Sequence, residues 1–435
     1  MRPVYDNDLP TGWEQRELRS VSIRKRGHTW EKEQESQKES HDTVPVIRIP
    51  NIGERLDLSD LLHLRGVTEE ALKESAVSKD WILFVGSNGN PNRIGDSVLI
   101  EENRKMVFAS FLMGIAAKNP AELLPSFLSL WLKIHNVHET FSKTSQQTTG
   151  LANFCWGAVK KLPVRFPKQP DEQRAIVDMV RLANAAIDAT QSKVVAAQRL
   201  KTALMQQLFA RGIPGRHTKF KKTKVGEIPV GWNVVTVQSL MAERIYNGVS
   251  PQSRPNPPGT PILNASCFND GRCNPRFVTY VDLDCEPIND ILAKRGDFYV
   301  LRGNGNRDYV AAGALLVDEP PPGCVFSDLL IKIPYSLEKL VEGYLPLLWQ
   351  SQGFLRRLQS KAVSGSGLWK IGQREIRRHE LPLPLKDEQE EIVSLLRTAD
   401  DNIAAVEREI EALRKLKTSL LQNLMTGKVR VKMET

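Results

Sequence analysis

Little in this sequence offers chemistry of its own. Cysteine is scarce, with five in 435 residues: Cys155, Cys267, Cys273, Cys285 and Cys324. They are odd in number, lie mostly in one half and form no CxxC, so neither a disulfide framework nor a zinc site is supported. His135 and His138 make an HxxH on an apolar stretch without a companion ligand, which reads as a structural pair. No run reaches the roughly 18 apolar residues of a membrane span, and the N-terminus shows no apolar signal segment. The expectation is a reducing cytoplasm and no membrane. There is no GxxxxGK[ST] phosphate loop, no GxSxG and no HExxH, and Gly303-x-Gly305 lacks the third glycine and following helix of a dinucleotide site. The nearest catalytic motif is Asn256-Pro257-Pro258-Gly259. In amino-methyltransferases such a turn holds the target amine and is followed by an aromatic residue that stacks on the flipped base. Gly259 cannot stack, no methyl-donor loop precedes it, and Pro251, Pro255 and Pro261 make the segment a plain loop. The chain is read as non-catalytic, with no cofactor of its own.

What the chain has is repetition. Asp171-Glu172-Gln173 opens a long apolar-periodic segment, and about 216 residues later Asp387-Glu388-Gln389 opens another. Laid together, residues 171–211 and 387–427 agree at about 16 of 41 positions, where chance gives about two or three. The repeat extends outward. Leu9-Pro10-Thr11-Gly12-Trp13 returns as Ile228-Pro229-Val230-Gly231-Trp232, Ser87-Asn88-Gly89-Asn90 as Gly303-Asn304-Gly305-Asn306, Val107-Phe108-Ala109-Ser110 as Val325-Phe326-Ser327-Asp328, and Leu162-Pro163-Val164 as Leu381-Pro382-Leu383. The chain therefore divides into a globular unit (1–168), a long helix (169–212), a basic linker (213–227), a second globular unit (228–385) and a second long helix (386–428). Each globular unit is large enough to bury a core. Sixty Lys and Arg against 51 Asp and Glu leave a net charge of +9, which fits an anionic partner without naming one. From Arg211 to Lys224 the basic residues Arg211, Arg216, Lys219, Lys221, Lys222 and Lys224 run without an acid, as a solvated linker or a phosphate contact.

Both long segments carry a coiled-coil stripe. In the first it runs Ile176, Val180, Ala183, Ile187, Val194, Ala197, Leu200, Leu204, Leu208. In the second it runs Ile392, Leu396, Ala399, Ile403, Val406, Ile410, Leu413, Leu416, Leu420, Leu424. Acids open each helix and glycine, Gly212 or Gly427, follows each end. A helix of about 40 residues is roughly 60 Å long. A parallel second helix would require the second unit to bring the chain back over that whole distance, so an antiparallel pair is predicted. It would carry a unit at each pole and both chain ends beside the first. Helices packed only on their own domains, or on another copy, are the competing arrangement.

The fold class predicted is α+β: two pseudo-symmetric mixed α/β domains separated by two long antiparallel coiled-coil helices. Strands at residues 80–85 and 297–301 feed the turns 87–93 and 302–308. Helices are expected over 124–132 and 337–350, each followed by a polar loop, 142–149 and 360–367. The acid-rich 31–42 stretch reads as a solvated excursion. Arg can contact guanine bidentately, Asn or Gln adenine, and Ser, Thr and Lys suit phosphates. The candidate DNA contacts are therefore Asn88, Asn90, Asn92, Arg93, Thr144, Gln146 and Gln147 in the first unit. In the second they are Arg302, Asn304, Asn306, Arg307, Lys361, Ser364, Ser366 and Lys370. All are also ordinary turn residues.

The Pro-x-Gly-Trp openings at Pro10 to Trp13 and Pro229 to Trp232, the Arg302-Gly303-Asn304-Gly305 turn, and the Leu-Pro-Leu-Pro-Leu-Lys-Asp-Glu-Gln entry at Leu381 to Gln389 converge. With the helix ending Leu-Lys-Thr-Ser-Leu-Leu-Gln at Leu416 to Gln422, they make the chain resemble, over essentially its whole length, the DNA-specificity subunit of Type I restriction-modification enzymes. The first half departs in detail: Ser87 stands where the pattern has glycine, and Leu162 to Pro167 stretches the proline motif. The resemblance implies two target-recognition domains, each reading one half of a split double-stranded DNA sequence. It also implies helices that act as a ruler and bind two methyltransferase subunits, which restriction subunits can join; S-adenosylmethionine, ATP and Mg would belong to those partners. A spacer somewhat under 60 Å would set the half-sites about ten to sixteen base pairs apart. Two readings compete with a sequence reader: a fused methyltransferase, against which Gly259 speaks, and a coiled-coil scaffold with no DNA role.

Overall fold

The computed structural model of the chain describes residues 4–148, 150–250, 253–254, 259–269, 271–283, 289–365 and 367–431. It divides into two compact units: unit 1 is Met1–Thr190 with Glu409–Thr435, and unit 2 is Gln191–Arg408. Both chain ends thus belong to unit 1. The long helices are Pro170–Arg211 and Lys386–Met425, with Asp171 and Glu172, and Asp387 and Glu388, in their first turns. Pro170 occupies the first helical position, where its missing N–H costs nothing. Gly212 and Gly427 follow the ends in the left-handed conformation, φ +74° and +72°, as a helix stop requires.

Each unit contains the beginning of one long helix and the end of the other. In unit 1, Ile176, Val177 and Val180 share a buried cluster with Leu421, Leu424 and Met425. In unit 2, Met205, Leu208 and Phe209 share one with Ile392, Val393 and Leu396. A beginning beside an end means antiparallel packing in both units. The stripe itself needs correction. Val194, Leu208, Ile410 and Leu424 are buried, but Leu200 is 71% and Leu416 59% exposed. One turn advances about 100° per residue, so the buried row Val194, Met205, Leu208 passes through Lys201, one position from Leu200. The Lys201 amine is used there, 2.5 Å from Asp400. The second helix repeats this with Ile410, Lys417, Leu421 and Leu424, and Lys417 lies 2.9 Å from Glu54. Spacing alone cannot distinguish a leucine from an adjacent lysine whose aliphatic stem lies in the row.

The globular parts share one topology. In unit 1 a sheet is ordered Ser22–Arg26, Leu112–Ala117, Ile82–Val85, Ser97–Leu99; in unit 2 the order is Tyr246–Asn247, Leu330–Lys332, Phe298–Leu301, Gly313–Leu316, extended by two short strands. Ile82–Val85 and Phe298–Leu301 are buried at every residue, which explains their unbroken apolar runs. A second sheet pairs Thr43–Ile47 with Arg104–Phe108 in parallel, and Thr260–Leu263 with Val325–Phe326 likewise. Two glycines allow the layers to approach. A Cβ on Gly27 would lie 2.0 Å from the Ala109 carbonyl oxygen, and one on Gly248 1.9 Å from that of Phe326.

The predicted helix over 337–350 is shorter, Tyr344–Gln350, because Gly343 immediately before it has φ +91°, a conformation that interrupts helical backbone. Its counterpart is Pro125–Leu132. The 142–149 and 360–367 segments each contain a hairpin strand, Gln146–Thr148 and Val363–Gly365, where open loops were expected. The 31–42 stretch is mostly exposed, yet Glu35–Ser36 adds an edge strand to Leu62–Arg65. Asn256, Pro257, Pro258 and Cys285 lie outside the described residues. Among those described, no three His, Cys, Asp or Glu are placed to hold a metal, and no helix is long and apolar enough to cross a membrane.

The repeated Trp and Asp-Glu-Gln motifs find their function in folding. The Trp232 indole donates to Glu388 at 2.8 Å, and the Trp13 indole to Glu172 at 3.2 Å. Both carboxylates are buried and are met by side chains from the segment that follows the opposite helix. Arg430 donates to Glu172 at 2.6 and 2.8 Å, while His217 Nε2 lies 2.8 Å from Glu388. The next residue pins the loop ahead of each helix. Gln173 accepts from the Leu124 N–H and donates to the Glu122 and Pro167 carbonyls; Gln389 accepts from the Val341 N–H and donates to the Pro384 carbonyl.

Candidate nucleic-acid interface

A three-stranded sheet in each unit gathers the candidate residues. In unit 1, Leu151–Asn153 lies between Gln146–Thr148 and Ser87–Asn88; in unit 2, Leu368–Lys370 lies between Val363–Gly365 and Gly303–Asn304. The first turn and the later hairpin, separated in sequence, therefore form one surface. A third segment supports it. The Phe111 carbonyl accepts from the Ser87 N–H at 3.0 Å, and the Leu329 carbonyl from the Arg302 N–H at 2.7 Å. This holds the residue that follows each repeated Val-Phe motif against the turn.

Within that surface many polar groups are already committed. Asn88 Oδ1 accepts from the Asn90 N–H at 2.7 Å and Asn90 Oδ1 from the Asn92 N–H at 3.1 Å; in unit 2 the Asn304 and Asn306 oxygens accept from Asn306 and Asp308 at 2.8 and 3.0 Å. These asparagines build the turn and leave chiefly their amide NH2 outward. Arg93 is drawn inward, with Nε 3.1 Å from Asp96 and Nη2 3.3 Å from the Ile52 carbonyl. His138 lies 3.1 Å from the same Asp96, and against burial, which raises it, the hydrogen bonds from His138 and Arg93 hold the Asp96 carboxyl below the usual range. The Thr144 hydroxyl donates to the Thr140 carbonyl at 2.6 Å. Lys361 lies 3.3 Å from Nδ1 of His379, whose imidazole burial pushes down to about 4.

Some candidates are exposed. Asn92, Ser364 and Lys370 are exposed, as is Arg307, whose guanidinium lies 4.9 Å from the centre of the Trp369 ring. Arg302 is half-buried. Gln146 and Gln147 occupy the hairpin strand, and Ser366 lies outside the described residues.

Sequence reasoning missed two contributors on the same surface of unit 1. Arg24, on the edge strand Ser22–Arg26, lies 4.9 Å from the ring of Trp156, just after the hairpin. Phe111 is 48% exposed beside the Ser87 turn. The Arg24-Lys25-Arg26 run was a usable signal for the first; nothing local marked the second. Lys25 between the two arginines turns in over Trp81, 4.1 Å from the ring centre, and burial lowers its ammonium to about 8. The basic linker is similarly spent. Residues 220–229 form a hairpin; Lys221 donates to the Val230 and Trp232 carbonyls, Arg211 pairs with Glu227, and Arg216 with Asp387 and Glu391. Lys219, Lys222 and Lys224 remain exposed.

Comparison with known proteins agrees with this architecture. The family described as Type I restriction modification DNA specificity domain matches residues 10–194. The Type I restriction enzyme MjaVIII specificity subunit of Methanocaldococcus jannaschii is 25% identical over 379 residues, 83% of this chain and 81% of that protein. The Type I restriction enzyme EcoKI specificity subunit of Escherichia coli K12 is 23% identical over 428 residues, 97% of this chain and 90% of that protein. A solved chain from work on complex assembly and conformational transition of the type I R-M system superposes with a TM-score of 0.61 at 17% identity, covering 97% of this chain and all of the other, a likeness of fold.

Proposed function

We propose that this chain is a member of the family of Type I restriction-modification DNA-specificity subunits and the sequence-reading subunit of such an enzyme, each unit contacting one half of a split double-stranded DNA target. The observation that carries the reading is the duplicated three-segment surface: one frame is built twice and dressed with unlike side chains, as two unlike half-sites require. The chain would supply no catalytic group. Methyl transfer with S-adenosylmethionine, and any ATP- and Mg-dependent cleavage, would belong to partner subunits in the cytoplasm.

The helices suit two copies of a methyltransferase partner. Met179 and Leu395 occupy equivalent repeat positions and are exposed, and so do Leu200 and Leu416. Unit 1 therefore offers Met179 with Leu416, and unit 2 offers Leu395 with Leu200, apolar side chains where a solvated helix face would carry polar ones.

Mapping methylated positions in the host genome with and without this gene tests the reading. A bipartite motif that vanishes with the gene is expected; an unchanged methylome would refute it. Exchange of residues 228–385 for those of a relative should alter one half of the motif only. Removing seven residues from each long helix should shorten the unread spacer by about three base pairs, at 1.5 Å per residue against 3.4 Å per base pair. An unchanged spacer would dismiss the helices as its ruler.

A further inference from the structure

At its Asn-Gly turn, unit 2 presents a pair of side chains that unit 1 lacks there. Arg307 opens the 3₁₀ turn Arg307–Tyr309, and its guanidinium lies over the Trp369 ring, its carbon 4.9 Å from the ring centre. Trp369 sits on the middle strand of the sheet, opposite both Asn304 and Ser364. In unit 1 the equivalent 3₁₀ turn opens on Pro91, and the residue opposite Asn88 is Ala152. Cation and ring are thus both present or both absent. Arg93, two residues further on, is no substitute, since Asp96 and the Ile52 carbonyl hold it inward. Its position in unit 2 is taken by Tyr309, 60% exposed.

The physical consequence lies in which part of the guanidinium the stack uses. An indole face contacts the flat face of the group and fixes its plane, leaving the N–H edge free. A fixed edge of two parallel N–H donors is the complement of guanine O6 and N7 in the major groove. An exposed arginine without that support would first have to lose side-chain entropy on binding. Resting on the DNA-reading role proposed above, we infer that Arg307 reads a guanine in the half-site of unit 2. Trp369 is its positioning residue, and unit 1 has no counterpart of this pair at the equivalent turn, its own arginine over a tryptophan, Arg24 on Trp156, lying on a different strand.

The test uses the full chain assembled with its cognate methyltransferase subunits, methylating duplexes in which each base pair of the target is replaced in turn. Exchange of residues 228–385 first assigns the half-sites. Arg307→Ala and Arg307→Lys should each lose roughly ten- to a hundredfold of discrimination at one G·C pair of the unit 2 half-site, with the other half-site unchanged. Trp369→Phe should retain most of that discrimination, and Trp369→Leu should lose part of it at the same base pair, an outcome that general loosening of the fold does not produce. Undiminished discrimination in Arg307→Ala, or losses spread over both half-sites, would overturn the inference. So would a Trp369→Leu effect at a different base pair. A wild-type assembly without a bipartite target would remove the DNA-reading role itself, and this inference with it.

Discussion

The buried carboxylate at the start of the second long helix offers the sharpest test of how the repeat is held together. Glu388 is 2% exposed and serves three donors: the Trp232 indole at 2.8 Å, His217 Nε2 at 2.8 Å and the Ile213 N–H at 3.3 Å. Glu388→Gln keeps the shape and one acceptor oxygen, but exchanges charge-assisted hydrogen bonds for neutral ones and turns an NH2 toward a donor. With charged hydrogen bonds contributing roughly 1.5–3 kcal/mol and neutral ones about 1, the expected cost is about 2 kcal/mol. Glu388→Ala leaves the indole and the Ile213 N–H buried without acceptors, at about 1–3 kcal/mol each, and opens a cavity besides; about 4 kcal/mol is expected. A double-mutant cycle of Glu388→Gln with Trp232→Phe should give a coupling of about 1–2 kcal/mol.

A chain of two units need not unfold in one step, so the assay should be local: hydrogen exchange of the amides of residues 386–396 in increasing urea. Asp387→Asn is the control. That neighbour has the same charge and lies on the same first turn, but its side chain is 61% exposed against 3% for Glu388. It should leave protection nearly unchanged. Equal losses in Asp387→Asn and Glu388→Gln would show that only the helix dipole matters. A coupling below roughly 0.3 kcal/mol would show that the indole contributes nothing through the carboxylate.

Lys201→Met alone should destabilise unit 2 by about 1–3 kcal/mol by stranding Asp400 in the helix stripe, whereas Lys201→Leu with Asp400→Leu should be neutral or stabilising; urea midpoints of the two variants decide this. His379 is neutral when folded, its pKa lowered from the ordinary 6.5 to about 4 mainly by burial and secondarily by Lys361 and Arg357. The unfolded chain therefore binds the extra proton first, and stability is lost as pH falls from about 6.5 toward 4, by roughly 2 kcal/mol at pH 5. His379→Gln should flatten unfolding free energy against pH in that window, and an unaltered slope would count against it. Gly248→Ala should cost at least about 3 kcal/mol, since the new Cβ meets a backbone oxygen at 1.9 Å; a melting temperature equal to that of wild type would contradict the close approach.

How much of this was legible beforehand depends on whether the determining contact is local. The long helices were, because their apolar spacing, acidic starts and glycine stops all lie within the segment. The choice between Leu200 and Lys201 was not, because Asp400, about 200 residues away, decides it. The two turns were recognisable from their Asn-Gly composition. That the asparagine oxygens are consumed within the turn follows from the same composition and could have been anticipated. The parallel pairing of Thr43–Ile47 with Arg104–Phe108, by contrast, joins strands some sixty residues apart, and nothing in either strand specifies the other. The Trp of each Pro-x-Gly-Trp opening was visible as a repeat, but its role required the distant glutamate.

The repeat acts as its own control for separating folding from reading. Where the halves agree, the shared residue is a structural joint: Trp13 and Trp232 donate to Glu172 and Glu388, Gln173 and Gln389 pin their loops, and Gly27 and Gly248 lie under carbonyls. Where they disagree on the gathered surface, as at Pro91 and Arg307, Arg93 and Tyr309, or Ala152 and Trp369, the difference changes what faces outward. It does not follow that single residues can be moved between halves. Ala152 is 1% exposed, packed with Leu83, Val85 and Leu112, so Ala152→Trp would force a large ring into a filled site at a cost of several kcal/mol, on the order of the most severe overpacking. Grafting Pro91→Arg with Ala152→Trp should therefore unfold unit 1 rather than confer guanine reading, while exchange of the whole turn and hairpin, with the residues beneath them, should be tolerated. Soluble expression and hydrogen-exchange protection of both grafts would decide it: a stable two-residue graft would mean that the reading surface is independent of the core it rests on.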